Sequence, residues 1–470
     1  MGVDTSEDAL KLLAPNSTDE RSKMRLAFVF GFLLFLSAHG QAVAQTTSED
    51  FYNLGVIRST AGNTDGAIED YTKAIELDPK NALAYYNRGV LRYTKNDVAG
   101  AIQDYSKAIE LRPDLSEAYG NRGNIYSESG NYKAAMADFD IAVKLKPTNP
   151  LTFNSRGFAF QEQGKLDDAI ADYNIAIKLA TRFVVALHNR GHARDLKRDF
   201  DGAIADYTAA LVIDPTYVKS LGNRGIAHHR KGNYGEALAD YTRAIELEPG
   251  NPSGYYNRAI TRSATFDFQG AIDDYTRTLS IEPSRKYAYQ GRALAHLMHQ
   301  AYEKALADYD KFIELDPNNP VNYRARGWVK LCLNDGTGAY ADALESMKRF
   351  GPEMPAPYSV IVGYIGLMKA GRQVEAKAFL GTWLRQRKDV NWTTQVIRYF
   401  NGELAEEKLL PLANDSGTQT EVYTYLAERA LFMGDIATAR RHFEWVTKNG
   451  RKEYLEYNLA VADLKRLEGK

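Results

Sequence analysis

The sequence reads NALAYYNRGVLRYTKNDVAGAIQDYSKAIELRP at residues 81–113 and LSEAYGNRGNIYSESGNYKAAMADFDIAVKLKP at residues 115–147, so one pattern occurs twice in succession. Farther out, prolines mark the same place in most copies of the pattern, and Thr181 takes the one missing place. These prolines are Pro79, Pro113, Pro147, Pro215, Pro249, Pro283 and Pro317. A constant period of about 34 residues is typical of repeat architectures, in which each unit packs on its neighbours. We therefore predict an array of stacked repeats.

Three further columns keep this register. Alanine lies twelve positions before the proline place, at Ala67, Ala101, Ala135, Ala169, Ala203, Ala237, Ala271 and Ala305. An aromatic lies eight before it, at Tyr71, Tyr105, Phe139, Tyr173, Tyr207, Tyr241, Tyr275 and Tyr309. A small residue lies twenty-four before it, at Gly55, Gly89, Gly123, Gly157, Gly191, Gly225, Ala259 and Ala293. Small residues let antiparallel helices approach closely, the aromatic fills the space between hairpins, and proline ends the second helix.

The spacing of these columns resembles the tetratricopeptide-repeat (TPR) family. The resemblance implies an all-α fold, a right-handed superhelical solenoid of helical hairpins. Eight TPR repeats fit residues 48–319, and a ninth fits residues 320–353. In the ninth repeat we expect an insertion near residues 334–338, before Ala343 restores the pattern.

The C-terminal part, residues 354–470, matches the pattern less well. The stretches 357–384 and 420–446 are expected to form degenerate TPR-like hairpins, whereas 391–419 does not fit the template. The final stretch, YLEYNLAVADLKRLEG, is expected to form a capping helix, because a bare last repeat would expose its apolar face. This part of the chain also resembles proteobacterial TPR lipoproteins that scaffold peptidoglycan hydrolases, which implies a role in the cell envelope.

The N-terminal residues have the layout of an export signal. A basic start at Lys23 and Arg25 precedes a short apolar run, 26–38, and then the small-residue site at 42–44. A membrane-spanning helix needs roughly 20 apolar residues, so the run is short for an anchor. No cysteine lies near the cleavage site to carry a lipid.

We therefore predict a signal peptide at residues 24–44, with cleavage after Ala44. Residues 1–23 are expected to be a non-native extension, with Met24 as the true start in place of Met1. The predicted location is the periplasm, or the exterior of the cell, with no stable membrane span after cleavage.

Composition excludes several classes of function. The chain has 470 residues, of which 59 are basic and 60 acidic, so no basic excess favours nucleic acid. Its single cysteine, Cys332, excludes an internal disulfide and a cysteine-based zinc site. No phosphate-binding loop or nucleophile elbow occurs, so we predict a protein that is not an enzyme and uses no cofactor. The alternative is a periplasmic metal-binding or enzymatic protein that uses His188, His192 and His229.

Two charged columns go beyond the family pattern. Arginine precedes the small residue at Arg88, Arg122, Arg156, Arg190, Arg224, Arg258, Arg292 and Arg326. Aspartate precedes the aromatic at Asp70, Asp104, Asp138, Asp172, Asp206, Asp240, Asp274 and Asp308. The first repeat has Leu54 in the arginine place and the ninth has Ser346 in the aspartate place. We therefore predict that each aspartate pairs with the arginine of the next repeat, from Asp70 with Arg88 through Asp308 with Arg326. Two solvated columns are the alternative.

In the TPR family, positions 2, 5, 9, 12 and 13 of the first helix in each hairpin line a concave groove. By that resemblance, repeats seven to nine offer an apolar patch for a partner protein or peptide, formed by Tyr256, Ile260, Tyr287, Leu294, Leu297, Met298 and Trp328. Repeats three and four offer a polar stretch, formed by Glu117, Asn124, Glu128, Asn154 and Glu162. The alternative is that the C-terminal helices fold back and bury the apolar patch as core.

Overall fold

A computed structural model describes residues 46–351, 356–387 and 389–469. Within those ranges the chain forms α-helices and one 3-10 helix, with no strand. The helices follow one another as hairpins, which confirms the predicted all-α TPR solenoid. The chain divides into two compact units after Ile213. The predicted extension and signal peptide, residues 1–44, lie outside the described ranges and stay predictions.

The first unit contains the hairpins of repeats one to five. Their helices are α1 (Ser48–Thr60), α2 (Thr64–Leu77), α3 (Ala82–Thr94), α4 (Val98–Leu111), α5 (Ser116–Glu128), α6 (Tyr132–Leu145), α7 (Pro150–Glu162), α8 (Leu166–Leu179), α9 (Val184–Leu196) and α10 (Phe200–Ile213).

The second unit contains repeats six to nine and the C-terminal part. The repeat helices are α11 (Val218–Arg230), α12 (Tyr234–Leu247), α13 (Pro252–Ala264), α14 (Phe268–Ile281), α15 (Lys286–Met298), α16 (Tyr302–Leu315), α17 (Pro320–Cys332) and α18 (Gly336–Phe350). The C-terminal helices are α19 (Pro357–Lys369), α20 (Gln373–Leu384), α21 (Trp392–Phe400), α22 (Glu406–Leu409), a 3-10 turn (Leu410–Leu412), α23 (Ser416–Phe432), α24 (Ile436–Asn449) and α25 (Leu455–Glu468).

The close approach of the two helices in a hairpin explains the small-residue column. A Cβ atom added at Gly89 would lie 3.0 Å from the ring of Tyr105, and one at Gly123 would lie 2.9 Å from the ring of Phe139. Both rings are buried. A larger side chain at the glycine would therefore push the aromatic out of its place.

The ninth repeat contains no insertion, so that prediction was wrong. Helices α17 and α18 form a regular hairpin, in which Asp335 caps α18 by accepting a hydrogen bond from the Gly338 amide. The register continues with Ala339 and Asp342, which take the places of the alanine and aspartate columns. Ala343 fills the aromatic position of this repeat, and an alanine there is easily taken for the alanine of the pattern.

The C-terminal part consists of helical hairpins, a short irregular segment and a final helix. Helices α19 and α20 pair as a tenth hairpin, and α23 and α24 pair as the last one. The final stretch forms α25, which packs on both helices of that last hairpin. Among the described residues, none of the helices combines the length and the apolar character that a membrane crossing requires.

Candidate functional site

The arginine and aspartate columns pair within a repeat, so the predicted inter-repeat ladder was wrong. Arg122 donates from Nε and Nη2 to the two carboxylate oxygens of Asp138, both at 2.8 Å. Arg156, the predicted partner of Asp138, makes the same two-bond contact with Asp172 at 2.7 and 2.8 Å. Each arginine therefore holds the aspartate on the second helix of its own hairpin.

The same fork recurs along the array. The pairs are Arg88 with Asp104, Arg122 with Asp138, Arg156 with Asp172, Arg190 with Asp206, Arg224 with Asp240, Arg258 with Asp274, Arg292 with Asp308, and Arg326 with Asp342. Asp70, which has no arginine in the column of its own repeat, is bound by Arg58 at 3.0 Å. Both ends are therefore paired, and the argument from unpaired ends fails.

A third nitrogen of the arginine makes the link between repeats. Nη1 of Arg122 donates to Ser106 at 2.9 Å, and Nη1 of Arg156 donates to Asp140 at 2.8 Å. The acceptor lies on the second helix of the preceding repeat. The sequence signal for this link is a column of short polar side chains, which the sequence analysis missed: Thr72, Ser106, Asp140, Asn174, Thr242, Thr276 and Asp310.

The predicted apolar patch does not form one surface. Trp328 and Leu297 are each 1 % exposed, whereas Tyr287 and Leu294 are 51 % and 43 % exposed. The other three, Tyr256, Ile260 and Met298, are partly buried. The prediction that Trp328 lines an open groove was therefore wrong, and the self-packing alternative describes it correctly.

The C-terminal helices cover this end of the patch. Trp328 belongs to a buried apolar cluster that includes Val360 of α19, Leu426 of α23 and Leu459 of α25. Beside this cluster, the Asn458 side-chain amide of α25 contacts the Met298 sulfur at 3.4 Å. Helix α25 therefore lies against the first helices of repeats eight and nine, where the family pattern places a groove.

Buried charges accompany this docking. Lys369 Nζ lies 2.7 Å from Asp463 and 3.4 Å from Glu428, and all three side chains are almost fully buried. Burial and the nearby Asp463 charge raise the pKa of Glu428 well above its usual value. Burial also works against ionisation of Asp463, but the charge of Lys369 overcomes it and lowers that pKa.

A second group of acidic side chains lies on the same helices. Glu421 accepts hydrogen bonds from the Trp392 indole at 2.7 Å and from the Tyr358 hydroxyl at 3.2 Å. Glu456 of α25 accepts one from the Tyr425 hydroxyl at 2.7 Å. Burial, reinforced by the charge of Glu421, raises the pKa of Glu456 to about 7. The positive charge of Arg324 on α17 opposes this rise in the pKa.

Repeats two to five present a partly accessible first-helix face, by which we mean the residues at positions 2, 5, 9, 12 and 13 of each first helix. Its half-buried members are Leu83, Tyr86, Val90, Tyr93, Glu117, Gly120, Asn124, Leu151, Asn154, Phe158, Val185 and His192. Of the predicted polar stretch, Glu117, Asn124 and Asn154 are half-buried, whereas Glu128 and Glu162 are exposed.

Side-chain amides connect neighbouring first helices along this face. Asn121 donates to the Tyr86 hydroxyl at 3.3 Å, and Asn189 donates to the Asn154 amide oxygen at 3.1 Å. In the first repeat, Tyr52 accepts the corresponding bond from Asn87 at 3.2 Å. These bonds hold polar side chains in fixed positions between repeats.

The three candidate histidines have neighbours that are typical of structural side chains. The His188 ring lies 5.5 Å from the ring of Tyr207 and is tilted against it by 47°, and Nδ1 of His192 is 3.2 Å from the Gln161 amide nitrogen. Nδ1 of His229 is 2.9 Å from the Thr261 hydroxyl, and burial lowers the pKa of His229. Across residues 46–351, 356–387 and 389–469, no group of three or more His, Cys, Asp or Glu side chains is placed to hold a metal ion.

Comparison with family models agrees with this geometry. A TPR repeat model matches residues 60–96, 91–130 and 123–164, and two tetratricopeptide-repeat models match residues 218–251 and residues 155–217 and 256–320. The chain belongs to the tetratricopeptide-repeat family. TPR proteins typically mediate protein–protein interactions. No curated protein matches the chain closely enough in sequence to be compared.

Several solved TPR structures are similar to parts of the chain. A tetratricopeptide repeat protein from Parabacteroides merdae is 21% identical, with a TM-score of 0.40 over 53% of this chain and 98% of that one. PilW, a type IV pilus biogenesis factor, is 19% identical, with a TM-score of 0.42 over 45% and 97%. YrrB, described as a TPR protein with an unusual peptide-binding site, is 26% identical, with a TM-score of 0.34 over 39% and 95%.

Proposed function

We propose that this TPR protein is a periplasmic scaffold that binds a partner protein or peptide on the first-helix face of repeats two to five. It acts by binding and not by catalysis. The observation that carries the proposal is the half-buried row of apolar and amide side chains on that face, in which hydrogen bonds from Asn121 and Asn189 of the neighbouring helices hold Tyr86 and Asn154 in place. Partly exposed aromatic and aliphatic groups on a rigid support are suited to anchor a partner at small entropic cost.

The periplasmic location rests on the sequence of residues 24–44. A basic start, a short apolar run and a small-residue site form an export signal, and cleavage after Ala44 would release a chain that begins just before α1. A role in cell-envelope maintenance rests on the resemblance of the C-terminal part to TPR lipoproteins that scaffold peptidoglycan hydrolases.

Site-specific photo-crosslinking in living cells tests the proposal. A photoreactive amino acid at Phe158, on the first-helix face, is expected to capture a partner. The matched control is Val212, which is 78% exposed on the second helix of repeat five. Crosslinks of equal yield from both positions, or from Val212 alone, would contradict the assignment of the face.

The same chain tests the location. Fractionation of cells that express it should place the crosslinked complex in the periplasmic extract. Recovery in the cytoplasm would contradict the proposed export. It would not contradict the proposed binding face, which the crosslinks test separately.

A further inference from the structure

Helix α25 lies against the C-terminal part of the first-helix face of repeats eight and nine, at Leu297, Met298, Trp328 and Cys332, as a ligand would. Its Leu459 and Ala462 lie in the same buried apolar cluster as Trp328 and Leu297. Polar contacts border the cluster: the Tyr302 hydroxyl donates to the Asn458 carbonyl at 3.3 Å. This is the arrangement of an amphipathic helix in an apolar groove.

The two sides of α25 have different partners. Leu459 and Ala462 belong to the apolar cluster that contains Trp328 and Leu297 of the groove, and Asp463 is bound by Lys369 of α19 at 2.7 Å. Ala460 and Leu464 instead join a separate cluster with the last hairpin, α23 and α24. The groove contact and the capping contact are therefore made by different side chains, and the groove contact can be changed without altering the cap residues.

The groove side of α25 is not an optimal apolar interface. It places Asp463 beside the buried Glu428, and removing Glu428 from water costs free energy that its attraction to Lys369, 3.4 Å away, offsets only in part. A helix held at such a cost is more easily exchanged than one that is packed by apolar residues alone.

We propose that the first-helix face of repeats eight and nine is a helix-binding groove, that α25 is its resident occupant, and that an amphipathic helix of a partner competes for it. That partner helix would carry a leucine, an alanine and an aspartate in the arrangement of Leu459, Ala462 and Asp463. The inference rests on the proposed scaffold function, and it adds a second binding face, on repeats eight and nine, whose partner is an amphipathic helix. Release of α25 would uncover Trp328, which gives the groove a large aromatic anchor.

Cys332 provides the reporter for release. It is the only cysteine in the chain, it is buried at the end of α17, and its carbonyl accepts a hydrogen bond from Arg466 of α25. Thiol labelling of the full chain therefore measures how often α25 leaves. Leu459→Ala is expected to raise the labelling rate at least tenfold, whereas Glu468→Ala, a change at an exposed residue of the same helix, should leave it unchanged.

A synthetic peptide of residues 453–469, labelled with fluorescein, tests occupancy by a second helix. It is expected to bind the full-length Leu459→Ala chain at least tenfold more tightly than the wild-type chain, and to slow Cys332 labelling of that variant. A peptide that itself carries Leu459→Ala should do neither. Unchanged labelling of the variant, or no peptide binding once labelling has increased, overturns the proposal.

Hydrogen exchange of the wild-type chain keeps the test valid if the variant fails to fold. The amides of α25 should exchange faster than those of α17, because release is a local opening. Exchange of both helices at the same rate overturns the proposal. Peptide binding together with no crosslinked partner at Phe158 would count against the scaffold function, whereas crosslinks without peptide binding would count against the groove alone.

Discussion

The pairing of Arg122 with Asp138 allows a quantitative test of how the repeats are held together. We consider Asp138→Ala, Arg122→Ala and the double variant, with Asp138→Ala combined with Arg156→Ala as the matched control. The double-mutant cycle removes the energy that Arg122 gains separately from Ser106, so that only the direct coupling remains. The control pair joins the residues that an inter-repeat ladder would bring together.

The structure sets the size of the expected coupling. The Asp138 side chain is 6% exposed and that of Arg122 is 18% exposed, and two charge-assisted hydrogen bonds join them. Breaking a fully buried pair costs about 3–5 kcal/mol. Because water reaches part of Arg122, we expect a coupling of about 2 kcal/mol, between the values for buried and exposed pairs. The coupling of Asp138 with Arg156 should lie within about 0.5 kcal/mol of zero, because these residues share no direct contact.

Hydrogen exchange measured on peptides from α5 and α6 is the appropriate assay. A repeat array need not unfold in one step, so a single denaturation midpoint does not define the local free energy. The amides of α5 and α6 report the opening of repeat three directly. A larger coupling with Arg156 than with Arg122, or no coupling in either cycle, would refute the within-repeat pairing.

The buried positions and the N-terminal sequence can be tested separately. Trp328→Ala should lower the stability of the second unit by about 3–5 kcal/mol in thermal unfolding, because the ring is core; an unchanged unfolding temperature would contradict this. Labelling of Cys332, divided by the rate for a free cysteine peptide, should rise by up to about tenfold per pH unit between pH 5 and 7. Labelling rises because Glu456 keeps its proton up to about pH 7 while α25 is docked but loses it in this range once α25 is released. The released helix therefore binds fewer protons, and a higher pH favours its release. Glu456→Gln should flatten the profile, and a fall in labelling with rising pH would contradict it. The exported protein should begin at Gln45, and N-terminal sequencing that finds residues 1–44 intact in the periplasm would contradict cleavage.

The sequence by itself determined the repeat and its hairpins. Gly89 and Tyr105 could be assigned to facing helices because their spacing is local and recurs in repeat after repeat. Such contacts depend on helix geometry within one repeat, so a single chain carries enough information to predict them. The register error at Ala343 shows where this fails, because an alanine in the aromatic position looks like the alanine of the pattern.

Only the tertiary structure decided which arginine pairs with each aspartate and which helix covers the groove of repeats eight and nine. Asp138 has Arg122 before it and Arg156 after it at similar separations along the chain. Because both arginines lie on helices that neighbour the helix of Asp138, the sequence separation alone does not show which of them forms the pair. Leu459 reaches the cluster that contains Trp328 although α18 to α24 lie between them in the sequence. That contact depends on the path of all the intervening hairpins, so no local pattern encodes it.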